Sequence, residues 1–272
     1  MPPLISVVMS TLYRREDTSV LERSVKSVLS QSLADFEFLI CCDGSTETAK
    51  KFLNQCAGKD PRVRLICGNN KETLPEKLNI CISAASGEFI ARMDDDDFSH
   101  PNRFEKQIEF LNSHPEVAFV GCNVALICDG APAGQRIFPE YPVVKDFYMV
   151  QPYIHPALMF RRQSLEAVGG YSEESRCVLC EDYDLLLRLY AGDFQGANLQ
   201  EILFDYSVPV TAKGSRKMIH RWNESKTRWC RFRELGVLPR ALPYVVKPIA
   251  VGLLPERMLA KIKNARKGDN VP

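Results

Sequence analysis

The chain has 272 residues, 45% of them hydrophobic, enough to bury one large core or one core with a small appendage. Its 35 basic and 34 acidic residues nearly balance, but unevenly: residues 213–272 hold 15 Lys or Arg against 4 Asp or Glu, a net of +11, leaving −10 before them. That asymmetry points to an anionic partner for the tail, and with no apolar run of roughly 18 residues a membrane-spanning helix is excluded.

Residues 4–9 are a short apolar run rich in β-branched side chains and read as a buried strand. Residues 18–29 then place Val20, Leu21, Ser24, Val25 and Val28 at helical spacing. Strand-like 36–41, helix-like 46–56, strand-like 63–67, a helix over about 74–85 and a strand over 88–91 follow. Strands alternating with helices of this length imply βαβ units and a Rossmann-like, mainly parallel α/β sheet flanked by helices. Ligands in such sheets bind beyond the carboxyl ends of the strands, so the segments after Met9, Cys42 and Met93 are the ones to read for chemistry.

Beyond Asp97 the rhythm changes. Residues 101–112 predict a helix with Pro101 in its first turn, 117–127 a strand, and Asp129 to Pro132 a turn. Residues 136–156 are irregular and aromatic-rich, 182–189 are helical, and 217–235 form another helix rich in Arg and Trp. The economical division is a catalytic domain over 1–212 and a helical, basic, amphipathic C-terminal extension over 213–272.

Ten cysteines suit a disulfide framework only in an oxidising compartment. The N-terminus has neither the basic n-region nor the apolar h-region of a signal peptide, and several cysteines sit in apolar runs. Buried, reduced thiols in a cytoplasmic protein are the simpler expectation. Cys177 and Cys180 have the spacing of half a zinc site but no second ligand pair.

The densest chemical signal is Arg92-Met93-Asp94-Asp95-Asp96-Asp97. Adjacent carboxylates repel, and hard oxygens at a strand's end suit Mg²⁺ or Mn²⁺ bridged to substrate phosphates. The bland reading is a solvated loop that caps the next helix. Asp43, in Cys42-Asp43-Gly44-Ser45 after the second strand, is placed to accept from a nucleobase imide or a ribose hydroxyl, and equally to cap a helix. Glu181 and Asp182 open a helix, where the macrodipole favours carboxylates; either is also a candidate general base for a sugar hydroxyl.

Taken in order, these pieces resemble the family 2 glycosyltransferases, which share the GT-A fold. The resemblance rests on residues 5–9, Asp43-Gly44-Ser45, Leu78-Asn79, residues 86–97, Pro101 to Gln107, His155 to Arg161, Gly169-Gly170-Tyr171 and Glu181 to Leu185, and spans about residues 4–206. It implies an inverting, metal-dependent transfer from a nucleotide-diphosphate sugar to a hydroxyl of a saccharide acceptor. Asp43 would then bind the base, commonly uracil. Asp94 and Asp96 would form the DxD element, with Asp94 towards the ribose, Asp96 on the metal and Asp95 beside them at the donor. Asp182 would be the base. The segment after the first strand, with Thr11 and Tyr13 as donor-binding candidates, carries an extra residue relative to the pattern. Arg92 would steady the carboxylates or touch a phosphate.

The sequence departs from the pattern in two further places. Cys42 replaces the first of two usual carboxylates, and Tyr206-Ser207-Val208-Pro209 has no metal-binding His in register. The tail joins Arg and Lys residues to Trp222, Trp229 and Phe232 and to an apolar stretch over 242–254, which suggests a surface-lying membrane anchor on the inner face of the cell membrane. Nucleic acid is the weaker partner, because no binding module accompanies the charge. A lipid-linked acceptor of bacterial surface-polysaccharide type fits such an anchor by analogy. The competing readings are a sugar-phosphate nucleotidyltransferase, which wants a Gly-rich phosphate loop after the first strand, and an inactive membrane-associated scaffold, which has no need of the carboxylates.

Overall fold

The structure is a computed structural model that describes residues 2–66, 73–208 and 217–253. Its first half is the expected βαβ array. Strands β1 (Ile5–Ser10), β2 (Phe36–Cys41), β3 (Val63–Ile66) and β4 (Phe89–Met93) lie side by side in the order β3-β2-β1-β4, every pair parallel. Helices α1 (Ser19–Leu29), α2 (Glu47–Lys59) and α3 (Leu74–Ser83) make the crossovers. The Thr46 side chain caps α2 by accepting from the Ala49 N–H, and Thr73 with Glu76 closes a capping box on α3. The chain lays β2 and β3 on one side of β1 before β4 returns on the other, so a crevice opens beyond the carboxyl ends of β1 and β4.

The second half departs from parallel order. After β5 (Phe98–Ser99) and α4 (Arg103–Ser113), a hairpin joins β6 (Val117–Cys128) to β7 (Ala131–Arg136). Its two turn residues, Asp129 and Gly130, both have positive φ, the geometry that matches strand twist. β8 (Met159–Arg161) then runs antiparallel between β4 and β6, followed by α5 (Arg162–Ala167), α6 (Glu181–Ala191) and β9 (Gln195–Val208). β9 is parallel to β6, and β5 is antiparallel to β9. The mainly parallel expectation therefore describes the first four strands; from β8 onward the nine-stranded sheet is mixed. The irregular 136–156 region contains two short 3-10 turns, Val144–Tyr148 and His155–Ala157.

Strand alternation builds two cores. Ile5, Val7 and Met9 point to one face with Leu21, Val25, Phe104 and Leu111, while Val8, Leu39 and Ile90 point to the other with Leu78, Leu185 and Leu189. The C-terminal extension forms α7 (Met218–Glu234) and α8 (Leu238–Leu253), which pack on each other. Phe232, Ala241 and Val245 join the second core, and Arg228 is buried at 4% exposure. Phe232, grouped from sequence with a surface-lying anchor, thus packs into the core instead. The boundary at 212, Cys67, Pro209 and residues 254–272 fall outside the described residues. Among the described cysteines nine are free, and burial pushes the Cys180 thiol up to about 12, as expected of structural thiols. No described helix is long and apolar enough to cross a membrane.

Candidate active site

The crevice is walled on one side by the segment leaving β1. The Thr11 N–H donates to the Cys41 carbonyl at 2.9 Å, and its hydroxyl donates to Asp95 Oδ2, tying the β1 end to the acidic loop. Tyr13 turns inward: its ring lies in the core and its hydroxyl donates to the Asp17 carbonyl at 2.8 Å. Leu12, the residue between them, is half-exposed and sits over Gly44, where an added Cβ would lie 2.7 Å from Leu12 Cδ1. Gly44 itself has a φ of 77°, so the turn that presents Asp43 requires glycine twice over.

Asp43 is buried at 8% exposure, with the Cys41 thiol 3.7 Å from Oδ2. The Lys77 amine, almost fully buried, donates to the Asp43 carbonyl and, at 3.4 Å, to that of Thr11. One α3 side chain thereby fixes both loops beyond the ends of β1 and β2.

β4, the neighbour of β1, delivers the acidic run beside this segment. Arg92 is buried at 1% exposure; its guanidinium donates to Asp94 Oδ1 at 2.5 Å and to the Met93 carbonyl. Of its two expected roles, this placement supports steadying the carboxylate. The Ser24 hydroxyl donates to the Asp94 carbonyl at 2.7 Å, and Arg23 and Ser207 donate to that of Asp96. Burial, and then the charge of Asp94, push the Asp95 carboxyl up; the same causes with Asp95 added raise Asp96 to about 6. Asp97 is fully buried and is raised to about 9 by burial and by Asp94 and Asp96. It accepts from the Ser207 N–H at 2.7 Å while its Oδ2 has no partner.

α6 begins at the other end of the crevice. Asp182 Oδ2 accepts from Gln151 Nε2 at 3.1 Å and its Oδ1 from the Tyr183 N–H at 2.7 Å. Glu181 is more buried, and burial, with Asp182 beside it, raises its carboxyl. Behind both, Tyr171 shares a 2.6 Å hydrogen bond with His155 Nε2. Asn79 holds Tyr171 in turn, donating to its carbonyl at 2.9 Å and accepting from its N–H at 2.8 Å.

Tyr206, near the end of β9, feels both carboxylate groups: burial raises its hydroxyl to about 12, and the charges of Asp97, Asp94, Asp96 and Asp182 all act on it. Asp94 keeps a third of its side chain exposed, and Asp96, though hemmed in enough to raise its carboxyl, still reaches solvent, so both can offer hard oxygens to a cation. Their mutual repulsion is what a divalent cation relieves. Among the described residues no group of three His, Cys, Asp or Glu forms a ready cage. The residues present therefore fit a cation that takes most of its ligands from phosphate and water. Sequence reasoning missed Lys77, Gln151 and the His155–Tyr171 pair, although Tyr171 and His155 stand in the motif segments.

Comparison with known proteins agrees with this architecture. A family model described as glycosyl transferase family 2 matches residues 6–169, more than half the chain, although Asp182 lies beyond its edge. The putative glycosyltransferase EpsE of Bacillus subtilis is 31% identical over 97% of this chain and 94% of its own length. An Escherichia coli UDP-Gal:alpha-D-GlcNAc-diphosphoundecaprenol beta-1,3-galactosyltransferase is 25% identical over 85% of this chain and 84% of its own. Among solved structures, S. aureus TarS in complex with UDP-GlcNAc superposes with a TM-score of 0.70 at 14% identity, covering 91% of this chain and 73% of that one. The mannosyltransferase PcManGT of Pyrobaculum calidifontis, in complex with GDP-Man and Mn²⁺, does so at 0.61 and 15% identity, covering 97% and 80%. The fold is thus the GT-A fold of these glycosyltransferases, and the chain belongs to glycosyl transferase family 2.

Proposed function

We propose that this glycosyltransferase moves a sugar from a UDP-sugar to a hydroxyl of a lipid-linked saccharide, by a metal-dependent, inverting displacement at the membrane surface. The observation that carries the reading is that the charges of Asp94, Asp96 and Asp182 all act on the Tyr206 hydroxyl, which supports a single site shared by the acidic run after β4 and the first turn of α6. Asp43 accepts from the base, and Asp94, aimed by Arg92, faces the ribose. Asp96 and Asp94 hold Mn²⁺ or Mg²⁺. The chemistry such a cation supplies when bound is neutralisation of the charge growing on the departing diphosphate.

The acceptor oxygen attacks the anomeric carbon as the bond from that carbon to the diphosphate oxygen breaks. Asp182, oriented by Gln151, takes the hydroxyl proton in the same step. Glu181, more buried, supports that turn of the helix. The substrates in the name of the E. coli relative support a uridine donor and a diphospholipid-linked acceptor, while the GDP-Man in PcManGT marks guanosine as the competing donor.

Titration calorimetry of UDP and GDP, each with and without Mn²⁺, tests the site. UDP binding is expected to require Mn²⁺ and to weaken at least about tenfold in Asp96→Ala. Metal-dependent GDP binding instead would replace the donor. No nucleotide binding under any condition would overturn the site.

A further inference from the structure

Helix α7 is amphipathic the wrong way round for a helix that merely packs on a domain. Apart from the buried Phe232, its inner face is polar: Asn223 donates to the Ser175 carbonyl at 3.0 Å, Thr227 to that of Arg176 at 3.0 Å, and Arg228 to that of Tyr148 at 2.8 Å. Its outer face carries Ile219, Trp222 and Trp229, which are 58%, 49% and 46% exposed. A surface helix ordinarily puts its apolar stripe inward, so exposed tryptophans opposite a hydrogen-bonded inner face point to a partner outside the chain.

The neighbouring helix extends that surface. Leu242, Val246 and Leu253 of α8 are 45%, 51% and 73% exposed. A shallow groove of about 240 Å³ joins the two helices, lined by Trp222, Trp229, Val245, Val246 and Ile249 among others. Around this apolar strip stand exposed Lys217, Lys226, Arg233 and Arg240, with Glu234 the one exposed acidic side chain on the two described helices. The sequence after it, 254–272, adds five Lys or Arg against two acidic residues.

We propose that this outer face of the α7–α8 hairpin docks on an anionic lipid bilayer, with Trp222, Trp229 and Val246 entering the interface and Lys226, Arg233 and Arg240 meeting lipid phosphates. The inference deepens the membrane part of the proposed function and rests on it. Indole rings settle at the boundary between headgroup and acyl chain, and each nearby cation adds attraction to an anionic surface. A second copy of the chain fits less well, because a two-fold contact through this face would set its cations against one another.

Trp222 and Trp229 are the only tryptophans in the 272-residue chain, so emission excited selectively at indole, beyond the absorption of its nine tyrosines, reports this face alone. Vesicles of phosphatidylcholine with phosphatidylglycerol are expected to shift the emission to the blue and protect it from acrylamide. Vesicles of phosphatidylcholine alone should do so at least about tenfold more weakly, as should the pair Lys226→Glu and Arg233→Glu with the mixed vesicles. Val246→Asp should abolish the shift while metal-dependent UDP binding stays unchanged. Unchanged emission with anionic vesicles overturns the proposal, and so does a vesicle-free dimer that Val246→Asp disperses. A clear shift in a protein that binds no nucleotide would leave the docking face standing and remove the catalytic reading.

Discussion

Asp182 and Glu181 are adjacent in sequence but not equivalent in setting. Glu181 is the more buried, its carboxyl raised by burial, whereas Asp182 is only partly buried and takes a hydrogen bond from Gln151 across the crevice. If Asp182 takes the acceptor proton, Asp182→Asn should lower kcat by about 10²–10⁴ while the calorimetric affinity for UDP with Mn²⁺ stays within about twofold. A variant that keeps its rate would move the base elsewhere. His155 offers a separate test through pH. Burial, and then the nearby charge of Arg92, hold its imidazole well below the ordinary value, so it is neutral in the folded protein. The unfolded chain gains a proton there below about pH 6.5 and the folded one does not. Stability from this group is therefore complete above about pH 6.5 and falls as pH drops below it. His155→Gln, which takes no proton, should show a flatter fall in Tm between about pH 7 and pH 5. Parallel slopes in the two proteins would remove His155 as the source.

At the scale of elements, α6 is held between the sheet and α7 by one carboxylate. Asp184 is fully buried and accepts from Arg188 and Arg231, each at 2.8 Å. Arg231→Met leaves that charge with one partner; the loss is expected to be about 2 kcal/mol, which lowers Tm by roughly 4–8 °C in calorimetry. A Tm unchanged within a degree or so would mean that Arg188 alone satisfies Asp184. How far such elements are legible in sequence follows from the range of the signal. Helices and strands through β4 are written in local periodicity, and the crevice follows because parallel strands leave their ligating loops at one end. Asp43, Asp94 and Asp96 stand at those loop positions and Asp182 in the first turn of α6, so local sequence is enough to make them candidates. Lys77 does not, since a lysine in a helix reads as solvated until the fold closes two loops over its amine. Nor do the β8 reversal and the Asn79–Tyr171 link, whose partners lie 92 residues apart and meet only once the sheet is assembled. The sidedness of α7 is hidden in the sequence for a related reason. Its composition is basic and aromatic all round, and only packing shows that Arg228 and Phe232 face inward while Trp222 and Trp229 face out.

Across the whole molecule, the C-terminal hairpin completes the second core. Phe232 stacks edge-on against Tyr148 at 5.3 Å, Tyr244 lies 5.2 Å from the same ring, and the Arg228 guanidinium sits 4.6 Å over Tyr183. Tyr183 in turn follows Asp182 and donates to the Phe147 carbonyl at 2.7 Å, just before the segment that carries Gln151. The hairpin therefore reaches the first turn of α6, where Asp182 stands, through two aromatic contacts and a hydrogen bond. A chain ended at residue 212 would expose Phe147, Tyr148 and Tyr183 and strand the buried Asp184 without Arg231. Each large aromatic uncovered forfeits about 1.5–3 kcal/mol of burial, so three of them consume much of a domain's stability of roughly 5–15 kcal/mol. The shortened chain is expected to bind a hydrophobic dye and to unfold without a sharp calorimetric transition. Should it instead unfold cooperatively at the full-length Tm and bind UDP with Mn²⁺ undiminished, residues 1–212 are a self-sufficient catalytic domain and the hairpin's inner contacts are dispensable to it.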